Sequence, residues 1–315
     1  MPQAPHHSRY RALAAGHRLP VLLCLAVAVL GAVSLITLTG AGFWAGRPAA
    51  APARMPVPSP AGGPSTAWHY SGNDNFGPHG RYLPGADGFN LADITSNAEA
   101  LSLPGNVKGL AYIGRCGGAD SSFRSAIAPF IGDSKVYGFY LEDDPDPASC
   151  KAGNLKAEAD WIRARDPGAL TFIVLRDMGP TSSPTFRGTY NPASTDVDLY
   201  GLDPYPCRTE LGNRCAYAWI GLAVRAAELS GVPRADIVPV YQAFGGGNWA
   251  EDGGGKYLMP SPLEVSQILA AWGRALPSPA FDYAYSWGNQ HGDTALSGSS
   301  ADQAVFRVHN RPGSR

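Results

Sequence analysis

The residues best suited to acid–base chemistry form one acidic run, Glu142-Asp143-Asp144-Pro145-Asp146. Crowded carboxylates raise one another's pKa, and a carboxyl group that stays protonated near neutral pH can act as a general acid. Alternation along a preceding strand would place Tyr140, Glu142 and Asp144 on one side, and Leu141 and Asp143 on the other. We therefore predict catalytic groups among Glu142, Asp143 and Asp144. A Ca²⁺ site and a plain acidic turn are the alternative interpretations.

A further carboxylate follows another apolar run, in the segment Asp203-Pro204-Tyr205-Pro206. The two prolines stiffen the turn and would hold Tyr205 at the rim of a site, where its ring or hydroxyl can meet a substrate. Asp203 is predicted to be the catalytic partner of Asp144. Capping of the following turn is its alternative role.

Other polar and aromatic residues also end apolar runs. Gln242 precedes a glycine-rich loop and can form hydrogen bonds, but it cannot act as a nucleophile. Tyr283, Tyr285 and Trp287 are spaced two residues apart, so they can share one face of a strand, and Trp287 could form a platform for a sugar ring. Ordinary packing is the alternative for each of these aromatic residues. The predicted substrate-binding residues are Tyr205, Gln242, Trp287, Asp93, Asp177 and Tyr285.

Several kinds of chemistry find no support in the sequence. It contains no G-x-S-x-G nucleophile elbow and no H-E-x-x-H zinc motif, and the glycine-rich loop lacks the P-loop spacing and lysine. Residues 68–315 carry 20 basic and 26 acidic side chains, and the basic ones form no cluster. Phosphate contacts need clustered Lys and Arg, so no nucleic-acid partner is predicted. We predict no cofactor and no catalytic metal.

The elements that would position these residues alternate along the chain. Short apolar runs that read as buried strands occupy residues 88–93, 107–114, 135–143, 170–177, 198–205, 237–245 and 281–288. Helical patterns occupy residues 121–131, 152–166, 216–231, 261–276 and 301–309. Alternation at a spacing of about 30 residues predicts parallel strands joined by right-handed crossovers.

A TIM-like (β/α)8 barrel, with one weak or missing strand, fits this pattern better than an open doubly wound sheet. The length of the region matches the usual size of such a barrel. Its polar residues end many different strands, whereas an open sheet would concentrate them at one switch point. No G-x-G-x-x-G follows the first predicted strand, which argues against a dinucleotide-binding fold.

The N-terminal region differs in composition from the rest of the chain. Residues 1–67 contain five arginines and no Asp or Glu, and residues 19–46 carry no charge. We predict a basic cytoplasmic tail (1–18), a transmembrane anchor or signal peptide (19–46), a Pro/Ala-rich linker (47–67) and an extracellular barrel domain (68–315). Either form of the apolar helix exports the domain, which would then be held at the cell membrane or secreted.

Four cysteines lie in the predicted extracellular domain. An even number in an exported domain indicates disulfides, and four cysteines allow three pairings. We favour Cys116–Cys150 and Cys207–Cys215, because each pair would join or follow neighbouring elements. A zinc site and free thiols are the alternatives, and no C-x-x-C spacing supports zinc.

The segment Tyr140-Leu141-Glu142-Asp143-Asp144-Pro145 is similar to a strand-end Y-L-x-D-E-P pattern of secreted glycoside hydrolases with (β/α) barrels. The resemblance implies that Asp144 is the general acid. Asp here replaces the Glu of that pattern and is shorter by one methylene, and Gln242 stands where a late strand could supply a nucleophilic Glu. The strings GFYL, GLDPYPC, PVYQAFGG and YAYSWG also resemble those of exported actinobacterial proteins, a likeness that implies no activity.

Two functional hypotheses follow from these patterns. The first is a carbohydrate-active enzyme that hydrolyses a glycosidic bond, with Asp144 and Asp203 as its carboxylate pair and Asp143 or Glu142 tuning the acid. The second is a non-catalytic barrel that binds a cell-wall glycan or a protein partner at the cell surface. A Ca²⁺-stabilised surface protein is a third, weaker interpretation.

Overall fold

The computed structural model describes residues 62–212, 214–248 and 257–311. The predicted tail (1–18), apolar helix (19–46) and most of the linker (47–67) lie outside the described residues. Within the described ranges, no helix has the length and apolar character needed to cross a membrane.

Eight parallel strands close into one barrel, which confirms the predicted (β/α)8 architecture. Each strand pairs with its neighbours in chain order, and the first strand pairs with the last. The strands are β1 (His69–Ser71), β2 (Leu91–Ile94), β3 (Lys108–Tyr112), β4 (Val136–Asp143), β5 (Leu170–Leu175), β6 (Leu199–Leu202), β7 (Ile237–Gln242) and β8 (Asp282–Tyr285).

Seven α-helices and five 3₁₀ helices connect the strands in the described residues. The α-helices are α1 (Asn97–Ser102), α2 (Ser121–Ile127), α3 (Ala152–Arg163), α4 (Pro192–Thr195), α5 (Ala218–Ser230), α6 (Pro262–Ala275) and α7 (Ser300–His309). The 3₁₀ helices are Pro78–Gly80, Pro84–Asp87, Thr209–Leu211, Arg234–Asp236 and Leu296–Gly298. Two antiparallel ribbons, Cys207–Arg208 with Arg214–Cys215 and Phe244–Gly246 with Asp293–Ala295, lie outside the barrel sheet.

The strand that the sequence pattern did not reveal is β1. It has three residues, too few for a run of apolar residues to stand out, and no predicted helix precedes it. Its partners identify it, because His69 pairs with Asp282 on β8 and Tyr70 pairs with Leu91 on β2. The short helices α1 and α4 escaped prediction for the same reason.

The apolar side chains form two layers on either side of the strands. Inside the barrel, an aromatic group of Tyr70, Tyr140, Phe172, Phe281 and Tyr283 fills the interior. Its rings make tilted and edge-to-face contacts, such as Tyr140 with Phe172 at 4.9 Å between centroids. The larger outer layer packs the strands against the helices. The barrel is therefore a packed core, and functional groups must lie at its ends.

Both predicted disulfide pairings, Cys116–Cys150 and Cys207–Cys215, are confirmed. The first joins the loop after β3 to the loop after β4, which carries the acidic run. The second closes the loop after β6, and a loop of this length contributes roughly 2–3 kcal/mol through the entropy of the unfolded chain. Both disulfides therefore constrain loops at the C-terminal end of the barrel.

Candidate active site

A β-bulge decides which residues of β4 face the barrel interior. Tyr140 pairs with Phe172 on β5, but the register then shifts, and Glu142 and Asp143 pair with Ile173 and Val174. Phe172 and Val174 belong to the interior layer and Ile173 to the outer layer. Side chains that pair across parallel strands share a face, so Tyr140 and Asp143 both point inward.

The bulge overturns the predicted alternation of β4. Asp143, and not Glu142, joins Tyr140 on the interior side, where the Tyr140 hydroxyl donates a hydrogen bond to Asp143 Oδ1 at 2.5 Å. A strand without a bulge would have placed Tyr140 and Asp143 on opposite faces. The extra residue at Leu141 is the physical reason for the difference.

The backbone is strained where four successive strands end. Cys116 after β3, Asp144 after β4, Asp177 after β5 and Tyr205 after β6 all have positive φ angles, of 32°, 47°, 49° and 21°. Such conformations cost non-glycine residues energy and gather at functional sites. Their common position supports a site at the C-terminal end of the barrel, where enzymes with this fold carry their chemistry.

Asp143 and Asp203 interact electrostatically at this end of the barrel. Asp203 follows β6 directly and is buried, and its Oδ1 has no hydrogen-bond partner among the described residues. Burial, and then the charge of Asp143, raise the pKa of Asp203 well above its usual value, against the opposing effects of Arg176 and Tyr205. Asp203 therefore holds a proton to a higher pH than an ordinary carboxyl group.

Asp143 is accessible to solvent through the open end of the barrel. The surrounding protein nevertheless displaces enough water to raise its pKa, while the Tyr140 hydrogen bond and the Arg176 charge oppose this shift. Burial also raises the pKa of the nearby Tyr70 and Tyr283 phenols well above the usual range. These phenols stay neutral and can only share hydrogen bonds with a carboxylate or a ligand.

Replacing Asp203 with Asn should change how stability depends on pH. The pKa of Asp203 is higher in the folded protein than in the unfolded chain. Its contribution to the free energy of unfolding is therefore complete below about pH 4 and is lost as the pH rises towards the folded pKa. Asp203→Asn removes this loss, so its free energy of unfolding should rise relative to wild type by up to about 1.4 kcal/mol per pH unit. Urea unfolding between pH 4 and 7 measures the difference, and parallel curves for the two proteins would contradict it.

The neighbours of Asp143 in the acidic run have partners of their own. Asp144 Oδ2 forms an ion pair with Arg176 Nε at 3.2 Å. Glu142 lies on the outer face of β4, where burial, and then the charge of Asp143, raise its pKa to about 7. Its charge also acts on Glu158 of α3, a buried carboxylate that accepts a hydrogen bond from the Gly118 amide. Among the described residues, no three of these acids bring a carboxylate oxygen each to within 4.8 Å of one another.

Aromatic side chains line the rim next to Asp203. The rings of Tyr205 and Tyr285 stack with an interplanar angle of 28°, and Tyr205 also contacts Phe244 and Tyr257 edge to face. The Tyr285 hydroxyl donates a hydrogen bond to Gln290 at 2.7 Å. The structure thus brings together two of the predicted substrate-binding aromatic residues.

Trp287 lies elsewhere, and its prediction as a sugar platform is corrected. It is buried in the outer layer and meets Phe89 edge to face, at 6.4 Å between centroids. The strand β8 ends at Tyr285, so the spacing of two does not continue to Trp287. Its large apolar surface contributes to packing, which was the alternative interpretation.

Gln242 is also removed from the surface, because its side chain is fully buried. Its Oε1 accepts a hydrogen bond from the Cys207 amide at 2.8 Å, and its Nε2 donates to the carbonyls of Cys207 and Leu258, each at 2.9 Å. These bonds tie the end of β7 to two loops. Gln242 therefore supports the loops of the site, and no face of it is open to a substrate.

The two remaining predicted residues lie at separate positions on the rim. Asp93, near the end of β2, accepts a hydrogen bond from the Asn73 amide at 3.0 Å, and its charge acts on Tyr70. Asp177 is exposed in the loop after β5, where it accepts a hydrogen bond from the Gly179 amide at 3.4 Å. Asp93 therefore faces the tyrosine group at the mouth, whereas Asp177 folds back onto its own loop.

Sequence reasoning missed Arg176 and Tyr70. Arg176 continues the interior face of β5 beyond Phe172 and Val174, so the period of two was a usable signal. Its charge opposes the rise in pKa of both Asp143 and Asp203. Tyr70 lies on β1, the strand that was too short to recognise.

No protein-family model matches the chain, and no curated protein matches it. Among solved structures, it is similar to a chitinase from Rhizomucor miehei, with 11% identity over 78% of this chain and 98% of that chain and a TM-score of 0.49. It is also similar to a putative alpha-L-fucosidase from Bacteroides thetaiotaomicron (12%, 85% and 97%, TM-score 0.45) and to a glycoside hydrolase-like protein (11%, 82% and 96%, TM-score 0.47). These likenesses concern the barrel fold only, and the predicted closeness to actinobacterial proteins stays a prediction.

Proposed function

We propose that this protein is a carbohydrate-active enzyme that hydrolyses a glycosidic bond with Asp143 and Asp203. The observation that carries the proposal is the position of Asp143, hydrogen-bonded to Tyr140 at the end of β4, and of the buried Asp203 directly after β6, both at the C-terminal end of the barrel. The charge of Asp143 also contributes to the raised pKa of Asp203. Glycoside hydrolysis needs one protonated and one ionised carboxyl group beside the scissile bond. Such a pair supplies both forms at once.

Asp143 takes the place that the sequence pattern gave to Asp144. It is accessible to solvent, it points to the interior side and its orientation is fixed by Tyr140. Asp143 contacts the substrate, and the buried Asp203 is the protonated carboxyl group of the pair. Asp144, paired with Arg176, positions that arginine near both carboxyl groups.

The rim residues provide the contacts for a sugar. The half-buried ring of Tyr285 borders the carboxyl groups and can pack against the apolar face of a sugar ring. The buried Tyr205 ring stacks on Tyr285 and supports its orientation. Asp93 and the tyrosine hydroxyls offer hydrogen bonds to sugar hydroxyls across the mouth. The substrate class is therefore a glycan, and a cell-wall glycan suits a domain that is exported.

An extracellular location is part of the proposal. Two disulfides indicate an oxidising compartment, because cytoplasmic thiols are kept reduced. The predicted apolar helix at 19–46 would deliver the domain there, as a membrane anchor or as a cleaved signal.

One observation favours the second hypothesis, a barrel that binds a glycan without cleaving it. Among Asp143, Asp144 and Asp203, Asp203 is buried and Asp144 is held in an ion pair, which leaves Asp143 as the exposed member of these three. A single accessible carboxylate is enough for recognition, since it accepts hydrogen bonds from sugar hydroxyls.

Hydrolysis and binding assays on the oxidised full-length protein distinguish the two functions. A panel of aryl glycosides and cell-wall polysaccharides is incubated with the protein, and the release of reducing ends is measured beside retention of the protein on each insoluble glycan. We expect turnover of at least one glycan. Glycan retention without turnover would establish the binding barrel, and neither activity in a folded protein would refute both functions.

A further inference from the structure

A second group of polar side chains lies at the N-terminal end of the barrel, opposite the carboxyl pair. His69 is the first residue of β1, Asp282 is the first residue of β8, and His309 is the last residue of α7. The three residues are 5%, 1% and 6% exposed, so the group is closed to solvent. Buried polar side chains of this kind need partners, and these three supply one another.

The nitrogen and oxygen atoms of the group converge. His69 Nδ1 lies 2.8 Å from Asp282 Oδ1, and His309 Nε2 lies 2.8 Å from Asp282 Oδ2. One potential ligand atom from each residue falls within 4.8 Å of the others. Three side chains from distant parts of the sequence therefore direct their polar atoms to one small volume.

We propose that His69, Asp282 and His309 form a binding site for one Zn²⁺ ion. Imidazole nitrogens and a carboxylate oxygen are ligands that Zn²⁺ prefers, at about 2.0–2.2 Å. Ligand atoms of a tetrahedral site lie roughly 3.3 Å apart at such bond lengths, and the observed separations bracket that value. Each ring binds through the nitrogen that faces Asp282, with its proton on the other ring nitrogen or released to solvent.

The surroundings of Asp282 are suited to a cation. Asp282 is 1% exposed and directs one carboxylate oxygen towards each histidine ring, at 2.8 Å from each facing nitrogen. The Tyr241 hydroxyl donates a hydrogen bond to Asp282 Oδ2 at 3.2 Å, a contact of the kind that orients a metal-binding carboxylate from behind.

The role of this zinc site is structural. It joins the first strand, the last strand and the last helix, which are the elements that must meet to close the barrel. Because it lies at the end of the barrel away from Asp143 and Asp203, zinc bound there takes no part in the proposed hydrolysis. Failure of the glycan assays therefore does not affect the zinc proposal. A negative zinc titration likewise does not affect the proposed hydrolysis.

Metal titration of the full-length protein tests the site. After treatment with a chelator, we expect the protein to bind one Zn²⁺ in calorimetry, with a higher Tm, and one Co²⁺ with the visible absorption of a tetrahedral N/O site. His309→Gln removes one of three ligands and should weaken Zn²⁺ binding by roughly 100-fold. The exposed His79 serves as the matched control, and His79→Gln should bind as wild type does.

The chain also contains His6, His7 and His17, so the titration is repeated with these three replaced by Gln. Loss of binding in that variant would overturn the proposal, as would a folded wild-type protein that binds no Zn²⁺ and gives no Co²⁺ absorption. Unchanged affinity in a folded His309→Gln variant would also overturn it. If that variant does not fold, the test is the Co²⁺ spectrum of the chain lacking His6, His7 and His17. Tetrahedral absorption in that chain would support the site, and its absence would overturn the proposal.

Discussion

Asp143→Asn is expected to lower kcat/KM for a hydrolysed glycan by about 10²–10⁴-fold, the usual contribution of a positioned acid–base group. The substitution preserves the size of the side chain and its acceptor for the Tyr140 hydroxyl, so the fold should be retained. What it removes is a carboxylate that can exchange a proton and stabilise positive charge. Initial rates on the best substrate of the panel, with circular dichroism to verify folding, measure the effect.

Glu142→Gln is the matched comparison, because Glu142 is the adjacent carboxyl group on the opposite face of the same strand. We expect a loss of less than about tenfold, since the β4 bulge turns Glu142 away from the interior side. Equal losses in both variants would mean that the bulge does not select the catalytic residue. Full activity in Asp143→Asn would remove Asp143 from the mechanism.

Gln242→Leu is expected to destabilise the protein by about 2–6 kcal/mol. Leucine fills a similar volume but leaves the Cys207 amide and the Leu258 carbonyl without their partner, and each buried group left unpaired costs about 1–3 kcal/mol. The Cys207 carbonyl keeps its hydrogen bond from the Leu258 amide. Urea unfolding under oxidising conditions measures the loss. The matched control is Gln267→Leu on the exposed face of α6, which should cost under about 1 kcal/mol.

A loss in Gln242→Leu no greater than that in Gln267→Leu would show that the buried hydrogen bonds contribute little. A large loss of activity with unchanged stability would instead place Gln242 at the substrate. Activity and stability measurements therefore distinguish substrate binding by Gln242, which the sequence pattern indicated, from the support of loops that its hydrogen bonds provide.

The sequence by itself determined the architecture and the end of the barrel at which the candidate residues lie. Seven of the eight strands, five of the seven helices in the described residues and both disulfides could be predicted, because hydrophobic periodicity and spacing are local properties of the chain. Parallel strands in a barrel bring their carboxyl ends to one rim, so Asp203, Tyr205 and the acidic run could be placed there before any coordinates.

Only the tertiary structure decided which members of those runs face the site. One extra residue in β4 turned Asp143, and not Glu142, to the interior side, and the pairing partners on β5 that reveal the shift are about 30 residues away in the chain. Gln242 ends β7 as its pattern indicated, whereas Trp287 lies two residues beyond the end of β8, and the packing of distant segments buries both side chains. The group of His69, Asp282 and His309 has no sequence signature at all, because barrel closure alone brings its members together. Local patterns fix the type of an element, whereas the direction of a side chain at its end depends on register and on contacts between segments far apart in sequence.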